Sequence, residues 1–163
     1  FVIEVLNPKK RFIDLKKLES IVNKTKEVRI RNLKFSNVKE ARELKEAKHD
    51  KEYRLIVVCD KKITKSDLKK LKMLEGIISQ RTPLRVLKRR ADKLRKRVVK
   101  RVKSRLLSEN SFELIVRCEA GLYVKELVSG DNGRTKPSVS ELLECRCEPR
   151  DLDVIKIYKE KKR

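Results

Sequence analysis

The sequence predicts an α+β fold, with a mixed, mainly antiparallel sheet flanked by helices. Amphipathic helical segments interleave with strand-like ones. A long hairpin, "RVVKRVKSRLLSENSFELIVRCE", sits inside that order. A chain of 163 residues with 39% hydrophobic content can bury a core as one compact domain or two very small ones.

In chain order, "FVIEVLN" reads as a strand, because Phe1, Ile3 and Val5 alternate with Val2 and Glu4. Opening abruptly in a strand is expected of a piece of something longer. Asp14 is the expected cap of a helix whose stripe is Leu15, Leu18, Ile21 and Val22. "EVRIRNLKF" reads as a strand with Val28, Ile30 and Leu33 inward. Ser36 is expected to cap a second helix running to about Lys48. "YRLIVVCD" is almost continuously apolar, which marks a central strand. Thr64 and Asp67 form a capping-box pattern before a helix that buries Leu68, Leu71 and Leu74 and stops at Gly76.

"GIISQ" is a short strand ended by "RTPL". From Arg97 to Leu107, Val98, Val102 and Leu106 are expected on one face, with Val99, Arg101, Lys103 and Arg105 on the other. "LSENS" turns the chain, and Phe112, Leu114, Val116 and Cys118 return along one face. A short helix at "SVSELL", a strand around "DVIKIY" and a frayed "KEKKR" tail complete the order. No internal repeat and no domain-scale linker is evident.

Charge narrows the function. The formal net charge is +22 and 43% of residues are charged. An excess of that size implies a polyanionic partner, since cations that replace condensed counterions on phosphates gain free energy by their release. No segment reaches the roughly 18 apolar residues of a spanning helix, and no signal peptide is seen. Nucleic acid is therefore expected over membrane. From Arg81 to Arg105, thirteen of twenty-five residues are Lys or Arg and only Asp92 is acidic. The run is expected to cross a helix and the hairpin as a phosphate-tracking surface, giving affinity rather than sequence specificity. With four Phe, three Tyr and no Trp, stacking of several bases is not expected. A folded duplex from which one base is captured suits this composition better.

Abundant Lys, Glu, Arg and Ile with no Trp suggests a heat-loving source. Cys59 and Cys118 lie in apolar strands, where thiols act as small hydrophobes. Cys145 and Cys147 have no second pair to join, and His49 is the single histidine, so a four-ligand zinc site is not expected. Reduced thiols are expected of a cytoplasmic protein.

"CEAGLYVKELVSGDNGRTKPSV" holds three of the four glycines around a short apolar helix, with Tyr123 and Lys125 near its start. Taken alone, Lys125 either snorkels to water or faces a pocket, and Tyr53 is either a core-edge aromatic or a site residue. Arg134 and Lys136 either touch phosphate or are plain surface.

Three segments together resemble the pseudouridine synthases. "KEYRLIVVCDKKITKSD" is similar to their tyrosine-headed central strand with its Thr-x-Thr/Ser-x-Asp turn. "GLYVKEL" is similar to their Gly-x-Tyr-Ile-Arg/Lys motif, and "SVSELLECRC" falls where a small hydrophobic motif lies. "QRTPLRVLKRRAD" and "GLYVKELVSGDNGRTKPSVSELL" resemble most closely the archaeal and eukaryotic synthases that act on uridines 54 and 55 of the tRNA T-arm.

The resemblance, over residues 1 to 157, implies a pseudouridine synthase-like fold and an activity without metal or organic cofactor. The enzyme would flip a T-arm uridine, break its glycosidic bond with an aspartate, and rejoin the uracil through carbon 5. Tyr53 would stack on the flipped base, near the proton that must leave. Lys125 would ion-pair with the aspartate, with Val124 lining the pocket beside it. Leu142 would be the apolar floor, or Leu143 if the register is off by one.

Tyr123, Arg81, Arg85, Lys88, Arg89, Arg90, Arg101, Lys103 and Arg134 would bind the substrate tRNA. None of the eight aspartates Asp14, Asp50, Asp60, Asp67, Asp92, Asp131, Asp151 and Asp153 stands in the family's catalytic context. That aspartate would lie upstream, as would an RNA-binding domain. The chain is thus expected to be the carboxy-terminal portion of a catalytic domain, monomeric and inactive alone. The alternative is a non-catalytic basic module that binds tRNA or ribosomal RNA.

Overall fold

The computed structural model describes residues 1–159. Most of the expected "KEKKR" tail, residues 160–163, lies outside the described residues. The chain forms two compact units, Phe1–Ala47 and the part from Lys48 onward. The boundary falls in "AKHDK", which has no glycine or proline to mark it, and no domain-scale linker was evident in the sequence.

The first unit holds α1 (Leu15–Lys24) and α2 (Val38–Glu46). Asp14 caps α1 as expected, its carboxylate accepting from the Lys17 N–H at 3.0 Å. Asn37 rather than Ser36 caps α2; Ser36 instead donates to Glu40 at 2.7 Å. Neither expected strand forms. Phe1, Ile3 and Val5 are exposed, and no strand in this unit offers them a partner.

In "EVRIRNLKF" the ladder's role is taken by a side chain. The Asn23 amide accepts from the Ile30 N–H at 2.8 Å and donates to the Ile30 carbonyl at 3.0 Å. Asn32, at φ 57°, then breaks the extended repeat.

The second unit is a six-stranded sheet in the order β5-β2-β3-β4-β1-β6. Its strands are β1 (Asp50–Cys59), β2 (Gly76–Gln80), β3 (Arg95–Ser108), β4 (Ser111–Cys118), β5 (Thr135–Lys136) and β6 (Cys147–Tyr158). Every pair is antiparallel, so the expected mixed sheet is antiparallel throughout the described residues.

One face carries the core. Leu55, Val57 and Cys59 of β1 meet Phe112, Leu114, Val116 and Cys118 of β4, all buried. Alternation with period two produces this directly. On β3 the expected facing is corrected. A register shift between Val99 and Arg101 puts Val99 on the buried face with Val102 and leaves Val98 half-buried.

Three helices close the core: α3 (Lys65–Lys70), α4 (Val124–Ser129) and α5 (Val139–Leu143). The Thr64–Asp67 capping box forms, and α3 runs on through a 3-10 turn at Leu71–Leu74. Leu68, Leu71 and Leu74 are buried as expected. The basic run forms no α-helix. It makes one 3-10 turn at Leu84–Val86 and then a loop into β3. Arg85, Lys88 and Arg89 would stack like charges three and four residues apart on one helix face, which disfavours it.

Candidate functional site

The short helix α4 is seated by its apolar residues. Leu122, Val124, Leu127 and Val128 are buried, with Val124 at 5% exposure. Gly121 enters the helix at φ 88°, and a Cβ there would lie 3.2 Å from Arg97 Nε. Tyr123 sits at the N-cap without a capping side chain. Its backbone is held instead by Gln80, 2% exposed at the end of β2. The Gln80 amide donates to the Tyr123 carbonyl at 3.0 Å and accepts from the Tyr123 N–H at 2.9 Å. The Tyr123 hydroxyl accepts from Arg90 at 3.1 Å.

Lys125 is exposed, and among the described residues it has no hydrogen-bond or ion-pair partner. It does not share the burial of its apolar neighbours. The next residue, Glu126, is 5% exposed. Arg85 donates to its carboxylate from Nε at 2.6 Å and Nη2 at 3.4 Å. Arg134 donates to the Thr82 carbonyl at 2.9 Å and to Asp92 at 2.6 Å. Arg81 pairs with the same Asp92 at 3.6 Å, and the Leu84 N–H donates to Asp131 at 3.0 Å.

The loop after β2 is therefore laced to α4 and the glycine-rich turn. Arg85 and Arg134 thus give part of their donor capacity to internal acceptors, though the Arg85 side chain stays 56% exposed. Lys88 and Arg89 are exposed and have no such partners among the described residues.

Tyr53 lies on β1 opposite Val116 of β4 and Val154 of β6, half-buried against the core. Burial first, and the nearby Cys118 second, hold its hydroxyl above its ordinary pKa. Leu142 is half-buried while Leu143 is 1% exposed, so only Leu142 keeps a face outside the core. Tyr53, Lys125 and Leu142 share no hydrogen bond or ion pair among the described residues.

On the outer face of the hairpin, Arg101 and Lys103 are exposed and, among the described residues, form no ion pair. With Glu52, Ile115 and Arg117 they line a cavity of about 40 Å³. Arg117 pairs with Asp50 at 3.1 Å and stacks over the Tyr158 ring at 3.7 Å. Arg105 pairs with Glu113 at 3.3 Å.

Sequence reasoning missed Gln80, Glu126 and the convergence of three cysteines. Cys59 pairs in register with Cys147 across β1 and β6, and Cys145 joins them. Their sulfurs all lie within 4.8 Å of one another. Burial pushes the Cys59 thiol up to about 11 and raises the Cys147 thiol as well. The one available signal for Gln80 was its rarity, as the chain's single glutamine at the end of an apolar strand. Among the described residues no helix is long and apolar enough to cross a membrane.

The family described as Pus10, C-terminal, matches residues 1–158. A tRNA pseudouridine synthase Pus10 of Methanocaldococcus jannaschii is 48% identical over 97% of this chain and 35% of its own length. Its namesake in Archaeoglobus fulgidus is 44% identical over 96% of this chain and 44% of its own length. The chain thus spans less than half the length of these curated relatives.

Among solved structures, a Cbf5-Nop10-Gar1 complex covers 69% of the chain and 32% of its own, with a TM-score of 0.55 and 23% identity. An H/ACA RNP bound to a substrate RNA containing 2'-deoxyuridine covers 69% and 30%, with a TM-score of 0.52 and 19% identity. These structures share the fold.

Proposed function

The chain belongs to the Pus10, C-terminal family, and from that premise we propose that it is the carboxy-terminal part of a tRNA pseudouridine synthase catalytic domain. The proposed substrate is the tRNA T-arm, with uridine 54, uridine 55 or both isomerised. Relatives 48% and 44% identical that carry the name tRNA pseudouridine synthase support this reading. A net charge of +22 suits a structured RNA partner.

In the proposed reaction the target uridine leaves the stack, at an unstacking cost of a few kcal/mol. A carboxylate outside these 163 residues attacks the nucleoside, and the glycosidic bond breaks. The uracil turns, carbon 5 bonds to the ribose carbon as the carboxylate leaves it, and the carbon 5 proton is lost while ring nitrogen 1 takes up a proton. Lys125 holds the attacking carboxylate ionised and oriented. Tyr53 stacks on the uracil, neutral because its burial disfavours the phenolate. Leu142 forms the apolar floor. No cofactor takes part. Arg101, Lys103, Lys88 and Arg89 track phosphates, and the complete protein acts as a cytoplasmic monomer.

One observation carries the reading. In a helix whose other middle residues are buried, Lys125 alone is presented to solvent with its charge unspent. It stands in "GLYVKEL", the stretch that resembles the synthase motif.

The test compares this chain with the longer protein on unmodified tRNA, with pseudouridine mapped by nucleotide. The longer protein is expected to convert T-arm uridine and the 163-residue chain alone to convert none. Conversion by the chain alone would overturn the placement of the nucleophile. A longer protein that binds tRNA tightly but converts no uridine would favour the binding module.

A further inference from the structure

Three of the four cysteines meet at one corner of the sheet, though they lie 86 and 2 residues apart along the chain. Cys59 ends β1 and Cys147 begins β6, with sulfurs 3.2 Å apart. Cys145 lies 3.6 Å from Cys147. A Zn–S bond of about 2.3 Å in tetrahedral geometry sets sulfurs roughly 3.8 Å apart, and the three separations here, 3.2 Å, 3.6 Å and at most 4.8 Å, each lie within about 1 Å of that. The fourth cysteine, Cys118, takes no part.

The backbone around the sulfurs is fixed as a unit. Ser140 accepts from the Cys145 N–H through its carbonyl at 3.1 Å and from the Cys147 N–H through its hydroxyl at 3.0 Å. Between them, the Arg146 N–H donates to the Asp60 carboxylate at 3.1 Å. The Arg146 carbonyl accepts from the Asp60 N–H, also at 3.1 Å. Asp60 follows Cys59, so one pair of hydrogen bonds ties both cysteine-bearing segments together. Such outer contacts orient ligands before a metal arrives. Cys59 and Cys147 are buried, whereas Cys145 is half-exposed. That leaves an open side where water can complete a coordination sphere.

We propose that Cys59, Cys145 and Cys147 form a three-thiolate site for a thiophilic d¹⁰ metal ion, Zn²⁺ or Cu⁺. On binding, each thiol gives its proton to bulk water as its sulfur–metal bond forms, so three protons leave for one ion and no redox change occurs. Thiolate donors select these soft ions over oxygen-seeking cations. The absence of a second cysteine pair in sequence does not count against such a site, because Cys59 is supplied by the β1–β6 register.

The test titrates the 163-residue chain with Co²⁺ as a spectroscopic stand-in for Zn²⁺, and separately with Cu⁺ under anaerobic conditions. The expected result is one equivalent bound, with a sulfur-to-metal charge-transfer band for Co²⁺ that Zn²⁺ abolishes. Zn²⁺ should also raise the thermal midpoint by several degrees. Cys145→Ser is expected to remove the band and weaken binding at least tenfold. In the unsubstituted chain, bound metal should protect Cys145, the thiol that reacts in the folded state, from alkylation and leave Cys118 unaffected, a readout that does not need the variant to fold. One-to-one binding of either ion with these properties supports the site. Binding of neither, or binding unchanged by Cys145→Ser, would overturn it.

Discussion

The buried Gln80 amide closes two hydrogen bonds on the backbone of Tyr123, at 3.0 and 2.9 Å. The pair joins the end of β2 to the start of α4, two residues before Lys125. Removing the amide leaves the part-buried Tyr123 N–H without a partner, while the Tyr123 carbonyl still accepts from the Leu127 N–H at 3.0 Å. Such a group costs about 1–3 kcal/mol. Gln80→Leu should therefore lower unfolding free energy by about 1–3 kcal/mol in urea titrations. A loss below about 0.5 kcal/mol would contradict the clamp.

Asp92 gives a pH signature. The hydrogen bond from Arg134 holds its carboxyl below the ordinary range against the opposing effect of burial, and the charges of Arg134 and Arg81 add to the lowering. A folded-state pKa below the unfolded one means the contribution to stability is full above about pH 4. It is lost as pH falls through the folded value. Thermal midpoints should drop across that acid window, and Asp92→Asn should reduce the slope there. An identical slope in the variant would remove Asp92 from the account.

The free and the engaged arginines should behave differently toward RNA. Arg101→Ala and Lys103→Ala should each weaken tRNA binding and reduce the salt slope by about 1. Arg134→Ala should lower stability more than it changes the slope, since its guanidinium already serves Thr82 and Asp92. Equal slopes for all three variants would contradict this division.

The four thiols should separate on alkylation without metal. Cys118 is buried, its pKa pushed up to about 12 by that burial first, and Cys59 is pushed up to about 11. Cys147 is buried beside Cys59. Cys145 should react first at pH 8, as counted by mass spectrometry, and the others only on unfolding. Rapid labelling of Cys59 would contradict their burial.

Local signals were the legible ones. The Thr64–Asp67 box, the Asp14 cap and the alternation from Phe112 to Cys118 are each decided within a few residues. The same logic misled at "FVIEV" and "EVRIRNLKF", because alternation describes a strand only where an edge accepts it. For Ile30 the Asn23 amide supplied the hydrogen bonds instead. The bulge at Val99 and Arg101 changed which valine faces the core, and no local pattern marks it.

Within the candidate site, the type and place of Lys125 were readable from "GLYVKEL". Its exposure fits both readings that the sequence left open, a lysine that snorkels to water and one that faces a pocket. Arg85 in the basic run and Arg134 in the glycine-rich stretch looked like any other cations. Only the fold shows that Glu126 and Asp92 claim them. Cys59 meets Cys145 and Cys147 only through strand pairing, which spacing in the chain does not reveal.

The most direct measurement follows single-turnover pseudouridine formation by the longer protein carrying Lys125→Ala, with tRNA affinity measured in parallel. The account predicts conversion lost by at least a thousandfold, affinity within about threefold of the unsubstituted protein, and substantial recovery in Lys125→Arg. Conversion retained while affinity falls would contradict the role assigned to Lys125 and make it one more phosphate contact.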